Sequence, residues 1–148
     1  MPGRYAVALF VAVTGGCGIS GPARSKAQFE RAKALWTSTR VPDYSYTLQR
    51  VCFCASVDPV RIAVVGGQVA SRTNITTNQP VPAAEAPLYP NIDGLFAIVE
   101  DAFNRASSIS ATFDPVNGIP LSAVIDYVSS AIDDELTLSA SNYTARAP

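Results

Sequence analysis

Apolar residues recur along this chain with two different periods, and each period predicts a different kind of element. Tyr44, Tyr46 and Leu48 alternate with Ser45, Thr47 and Gln49, the two-residue repeat of a half-buried strand. Arg50 breaks that parity, which predicts a bulge or a strand end near it. Val60 to Val65, then Gly66-Gly67, then Gln68 to Arg72 reads as a hairpin closed by a two-residue turn. Three more strands follow from Ile109-Ala111-Phe113, Leu121-Ala123-Ile125-Tyr127 and Leu136-Thr137-Leu138, the first two separated by a Pro-Val-Asn-Gly turn. Helical spacing appears twice. Phe29, Ala32, Leu35 and Trp36 predict a helix over 26–38, opened by a capping box at Ser25 and Gln28 and closed before Pro42. Ile92, Leu95, Phe96, Val99 and Phe103 predict a second amphipathic helix of about three turns. Between strands and second helix, residues 74–90 carry Pro80, Pro82 and Pro87 and read as a loop.

The resulting order is α-β-β-β-α-β-β-β. An α+β domain in which both helices cover one face of an antiparallel sheet of about six strands would bury every apolar set named above. A single domain over residues 25–148 suits a chain of 148 residues. The repeated order suggests a duplication, although the two halves show no clear residue match.

The N-terminal segment follows other rules. Arg4 precedes nine uninterrupted apolar residues, Tyr5 to Val13. A helix of that length spans roughly 14 Å, about half a bilayer core, so the segment is a signal-peptide core rather than a membrane span. Thr14-Gly15-Gly16-Cys17 resembles the lipobox of bacterial lipoproteins, in which the Cys receives a diacylglycerol thioether. The expectation is a signal peptide over 1–16, lipidation at Cys17 and a flexible tether over 17–24. An ordinary secretory signal with a stray Cys is the alternative. Gly18 after the Cys permits sorting to an outer membrane, and the expected location is the cell envelope.

Composition removes more than it adds. The chain is 48% hydrophobic and 16% charged, with 11 Lys+Arg, 12 Asp+Glu and no His. Without His there is no Ser-His or Cys-His dyad and no imidazole metal ligand. A net charge of −1 gives no reason to expect nucleic acid as a partner. There is no phosphate-binding loop, dinucleotide fingerprint or nucleophile elbow either. Charge is uneven: from Arg24 to Arg72 eight basic residues face three acidic ones, and from Thr73 onward two face nine. That asymmetry suits two complementary surfaces that help the halves dock, or a binding patch.

Two constellations could carry chemistry. In a regular strand the thiols of Cys52-Phe53-Cys54 would lie about 6.6 Å apart, too far for a disulfide. A bulge or strand end could close them into a strained, readily reduced ring. A structural disulfide, a thiol-redox pair assisted by Arg50 and a soft-metal site are the three readings. Asp126, Asp133, Asp134 and Glu135 could offer oxygen ligands to Ca²⁺, but no calcium-loop motif is present, and a solvated strand connection explains them equally well. Asp114 with Asp126 could be imagined as an acid/base pair, yet nothing places them at one cleft. Asn74-Ile75-Thr76 and Asn142-Tyr143-Thr144 match a glycosylation sequon that a bacterial lipobox makes a chance match.

Taken together, Trp36, Val41-Pro42-Asp43-Tyr44-Ser45-Tyr46-Thr47 and Cys52-Phe53-Cys54 resemble the opening of a bacterial secreted domain. Ile92-Asp93-Gly94-Leu95-Phe96, Phe113-Asp114-Pro115, Gly118-Ile119-Pro120, Ile125-Asp126 and Asp133-Asp134-Glu135 extend the resemblance to the domain of unknown function 6174, typical of small bacterial lipoproteins. It implies localisation and fold, and it supplies no catalytic residue. The expected function is a lipid-anchored, non-catalytic binding or structural module without a cofactor, held to a membrane and facing an envelope protein. The alternative is a thiol-redox or soft-metal protein using Cys52 and Cys54.

Overall fold

A computed structural model of the chain describes residues 21–53, 58–131 and 133–146. Helix α1 (Gly21–Thr39) leads into strands β1 (Tyr44–Val51), β2 (Val60–Val65) and β3 (Gln68–Asn74). A short 3₁₀ turn (Ala86–Leu88) and helix α2 (Ile92–Arg105) precede β4 (Ser108–Phe113), β5 (Pro120–Asp126) and β6 (Leu136–Ala145). The expected α+β order is present in full. All pairings are antiparallel, and the strands lie in the order β3-β2-β1-β6-β5-β4. Two three-strand meanders are therefore joined through β1 and β6. A pair of two-fold related halves would join like strands, β1 to β4 or β3 to β6, and this sheet does neither.

One face of the sheet is buried and both helices lie on it. Tyr44, Tyr46, Leu48, Val60, Ile62, Val64, Ala123, Ile125, Leu138 and Ala140 form one core with Phe29, Trp36, Ile92, Leu95, Phe96 and Val99 of the helices. Phe29 meets the rings of Phe96, Phe103 and Phe113 at centroid distances of 6.0, 5.4 and 6.2 Å. Trp36 stands edge-on to Tyr44 at 5.6 Å. Such tilted and edge-on contacts suit the aromatic quadrupole. The opposite sheet face stays open, and Ser, Thr and Val dominate it.

The hairpin turn is as expected: Gly66 and Gly67 take φ of 57° and 78°, the left-handed pair that a two-residue turn matching strand twist requires. Several boundaries differ from expectation. Helix α1 begins at Gly21, so Ser25 lies inside the helix rather than capping it, and residues 21–24 are helical rather than tether. Pro22 sits in the first turn, where a missing amide costs nothing. Residues 1–20, including the signal segment and Cys17, lie outside the described residues. Among the described residues, no helix is long and apolar enough to cross a membrane.

Parity breaks account for the other differences. Strand β1 ends at Val51, one residue past Arg50, which is the strand end expected there, while an additional register break against β6 falls at Tyr46. There β6 inserts an extra residue, with Asn142 at φ 52°, which turns Tyr143 back toward the core. In β5 the register slips between Thr112 and Phe113, leaving Leu121 as the extra residue. Leu121 is consequently 38% exposed, where simple alternation places it inside. Strand β6 is also far longer than the three residues that apolar alternation marks, because Ser139, Ser141 and Thr144 are on the open face and hide its continuation.

The 74–90 connection is anchored rather than loose. Thr73 bridges Pro80, Tyr89 is fully buried, and basic residues of the sheet hold its carbonyls: Arg72 Nε donates to Tyr89 O at 2.6 Å and Arg50 to Leu88 O at 3.3 Å. Tyr46 Oη donates to Pro90 O, and Tyr44 Oη accepts from the Ile92 amide at 3.1 Å. The core tyrosines thus satisfy the backbone where the loop becomes α2.

Candidate functional site

Trp36, Asp43 and Asp93, three residues of the sequence resemblance, gather at one end of the domain and are tied into the framework. Asp93, in the first turn of α2, accepts from the Trp36 indole nitrogen at 2.8 Å and from Arg40 at 3.1 and 3.2 Å. Asn91 caps α2 by accepting from Gly94 N at 2.9 Å, and its side-chain amide donates to Gly67 O at 3.0 Å. The hairpin turn is in turn held by Asp43, whose carboxylate accepts from Gly66 N at 2.7 Å. Lys33–Glu100 joins α1 to α2, and Arg40, just past the end of α1, pairs with Asp93 of α2. The basic first half and the acidic second half therefore meet through ion pairs, as the docking reading of the charge asymmetry expects.

Asp114 organises the β4–β5 turn. Its Oδ1 accepts from Val116 N at 2.7 Å and Asn117 N at 3.1 Å, while its backbone pairs with Ile119 and Gly118. Gly118 has φ +79°, and a Cβ there would stand 2.2 Å from the Ala32 carbonyl oxygen. The turn can lie against α1 only because this residue is glycine. Asp114 and Asp126 sit at opposite ends of the β4–β5 hairpin, since Phe113 pairs with Pro120 and Ser108 with Asp126. They do not share a cleft.

The acidic set is also dispersed in role. Asp134 accepts from Val128 N and closes the β5–β6 connection; Asp133 and Glu135 are exposed. Among the described residues no three His, Cys, Asp or Glu groups approach closely enough to hold a metal ion. Tyr127 Oη donates to Asp101 at 2.9 Å, and the paired Arg105 guanidinium is the first cause of the Asp101 carboxyl lying below its usual range.

Cys52 is half-buried just past the end of β1, and Phe53 beside it is 86% exposed. Cys54 lies outside the described residues. Arg50 stands two positions before Cys52, and burial pulls its guanidinium below the usual value.

Two cavities open near the Asp114 turn. The larger, about 380 Å³, runs between α1 and the edge strand β4 and is lined by Gln28, Arg31, Leu35, Ala111, Phe113 and Pro115 among others. The other, about 290 Å³, lies over the β6 bulge beside Tyr46, Asn117 and Tyr143. The alternation and periodicity of the sequence place the α1 and β4 residues of the first cavity in a helix and a strand, but leave Ala140 to Tyr143 of the second outside any element. A groove between a helix and an edge strand depends on which strand ends up at the edge, and local pattern does not reveal that.

Compared with known proteins, the chain matches over residues 28–145 a family of unknown function, DUF6174. Searches of curated proteins and of solved structures found no match.

Proposed function

The chain belongs to the family of unknown function DUF6174, and from that premise we propose that it is a lipid-anchored cell-envelope module that binds a partner without catalysing a reaction. One observation carries the binding part of this reading. Asp93 and Asp114, two residues that mark the resemblance, are engaged in holding the fold, while the α1–β4 groove of about 380 Å³ beside Asp114 stands open, a volume within the range of about 300–1,000 Å³ usual for ligand sites. The lipid anchor rests on Gly15-Gly16-Cys17 directly after the apolar run, with the signal over 1–16. Cys52 and Cys54 serve as a bridged pair that holds the end of β1, in keeping with an oxidising compartment.

Metabolic labelling with a clickable palmitate analogue tests the anchor: the wild-type chain takes up label and Cys17→Ala does not. Retained label on that variant overturns the anchor. Crosslinking from native membranes tests the module. A partner captured equally by the wild type and by the Cys52→Ser, Cys54→Ser double variant supports it, whereas loss of all function in the double variant with the fold intact points to thiol chemistry instead.

A further inference from the structure

The free edge of the sheet at β4 identifies what kind of partner the groove takes, an inference that rests on the binding-module reading above. The Asp114 amide donates to Ile119 O, toward β5. Backbone direction alternates along a strand, so Thr112 and Ser110 also turn toward β5, while Phe113, Ala111 and Ile109 turn their N–H and C=O groups outward. No strand lies on that side among the described residues.

Exposed edges are normally blunted by charge, proline or a covering segment. The other edge follows the rule, since Thr73 of β3 is bridged by Pro80. Ser108 to Phe113 contains neither charge nor proline, and no bridge covers it among the described residues. Instead α1 runs alongside, presenting Gln28, Arg31, Ala32 and Leu35, the i, i+3, i+4, i+7 face of a helix. The groove is apolar along Leu35, Ala111 and Pro115, and Phe113 is held in place by its stack on Phe96. Arg31 at its rim is exposed and has no hydrogen bond or ion pair among the described residues. Asp114 on the same lining already has Oδ1 engaged with two turn amides.

We propose that this groove binds an extended peptide segment that joins β4 as a further strand, seats an apolar side chain between α1 and Phe113, and places a carboxylate on Arg31. Main-chain pairing supplies affinity, and the pocket with its single cation supplies selectivity. The carboxylate is either a chain terminus or an Asp or Glu side chain.

The test uses the full chain held in detergent, against displayed libraries of short random peptides, once with free C-termini and once embedded in flanking sequence. The expected result is enrichment of peptides that combine an apolar residue with a carboxylate. Enrichment only with free C-termini assigns a terminal carboxylate; enrichment in both assigns a side chain. Arg31→Glu should weaken binding of the enriched peptides by about tenfold or more, and Ala111→Pro, which removes an outward amide and no ladder bond, should do the same. Hydrogen exchange at Ala111 and Phe113 should slow in the complex, a readout that stands even if Ala111→Pro folds poorly. No enrichment, or affinity unchanged by Arg31→Glu with exchange at β4 unaltered, overturns the proposal. Self-association that Ala111→Pro dissolves assigns the edge to a second copy and overturns it equally. Failure here with palmitate labelling and partner capture intact leaves the anchored module standing on another surface.

Discussion

Thr47 shows how a single side chain can run against the rest of the sheet. It sits in central β1 at 5% exposure, and its Oγ1 has no hydrogen-bond partner among the described residues. Leaving a buried hydroxyl unpaired costs free energy that an apolar group of the same shape does not. Thr47→Val should therefore raise stability by about 1 kcal/mol, read as a higher urea midpoint with an unchanged slope. Gly118 runs the other way. With φ +79° and the Ala32 carbonyl oxygen 2.2 Å from any added Cβ, Gly118→Ala should cost about 2 kcal/mol or more, visible in the same melt. Inward residues such as Tyr44, Tyr46 and Ile125 were readable from alternation alone, because parity holds where the ladder is regular. Leu121 was not, because the extra residue that turns it out is set by pairing with β4.

At the scale of elements, α2 is the one that local chemistry describes most completely. Its apolar stripe, the Asn91 cap, Asp93 in the first turn and Arg105 in the last all favour the same helix. Asn91→Ala should cost about 1 kcal/mol for the cap alone, and more in practice because the Gly67 contact goes with it. Hydrogen exchange resolved by residue should show the loss first at Gly94 and in the Gly66-Gly67 turn. Helix α1 gave a weaker signal, since its N-terminal turns carry small and charged residues whose helicity shows no periodicity. Strand β6 was half hidden for a related reason: a bulge at Asn142 reverses the pattern midway, and alternation can be followed only up to such a break. The 380 Å³ groove lies between α1 and β4, two elements that sequence reading found singly but could not place side by side.

Across the whole molecule, buried tyrosines set an upper limit in pH. Burial raises the Tyr44 hydroxyl from 10.0 to about 12, raises Tyr46 well above its usual value, and raises Tyr143 as well. The unfolded chain releases these protons near the ordinary value while the folded chain retains them. Stability is therefore complete below about pH 10 and falls progressively from there to about pH 12. Melting temperature followed through that window should drop steeply, and Tyr44→Phe should flatten the drop while lowering stability at neutral pH through loss of the Ile92 contact. No imidazole titrates through the neutral range, since the chain has no His. Fold class followed from element order, because two helices and six strands with these apolar faces have few ways to bury them. The strand sequence across the sheet did not follow, since nothing local distinguishes a β1–β6 seam from a β3–β6 one.

That seam has a consequence for the time course of folding. Strands β1 and β6 lie side by side at the middle of the sheet, with Tyr44 opposite Ala145 and Val51 opposite Thr137, so the central contact closes the longest loop in the domain. Contacts of that separation slow folding, because the chain between them must be ordered first. During synthesis the flank of β1 that pairs with β6 has no partner until residue 145 is released. Strand order thus delays closure to the last moment, and a chain cut after Asp126 should lose cooperative unfolding altogether, losing the centre of the sheet rather than an edge.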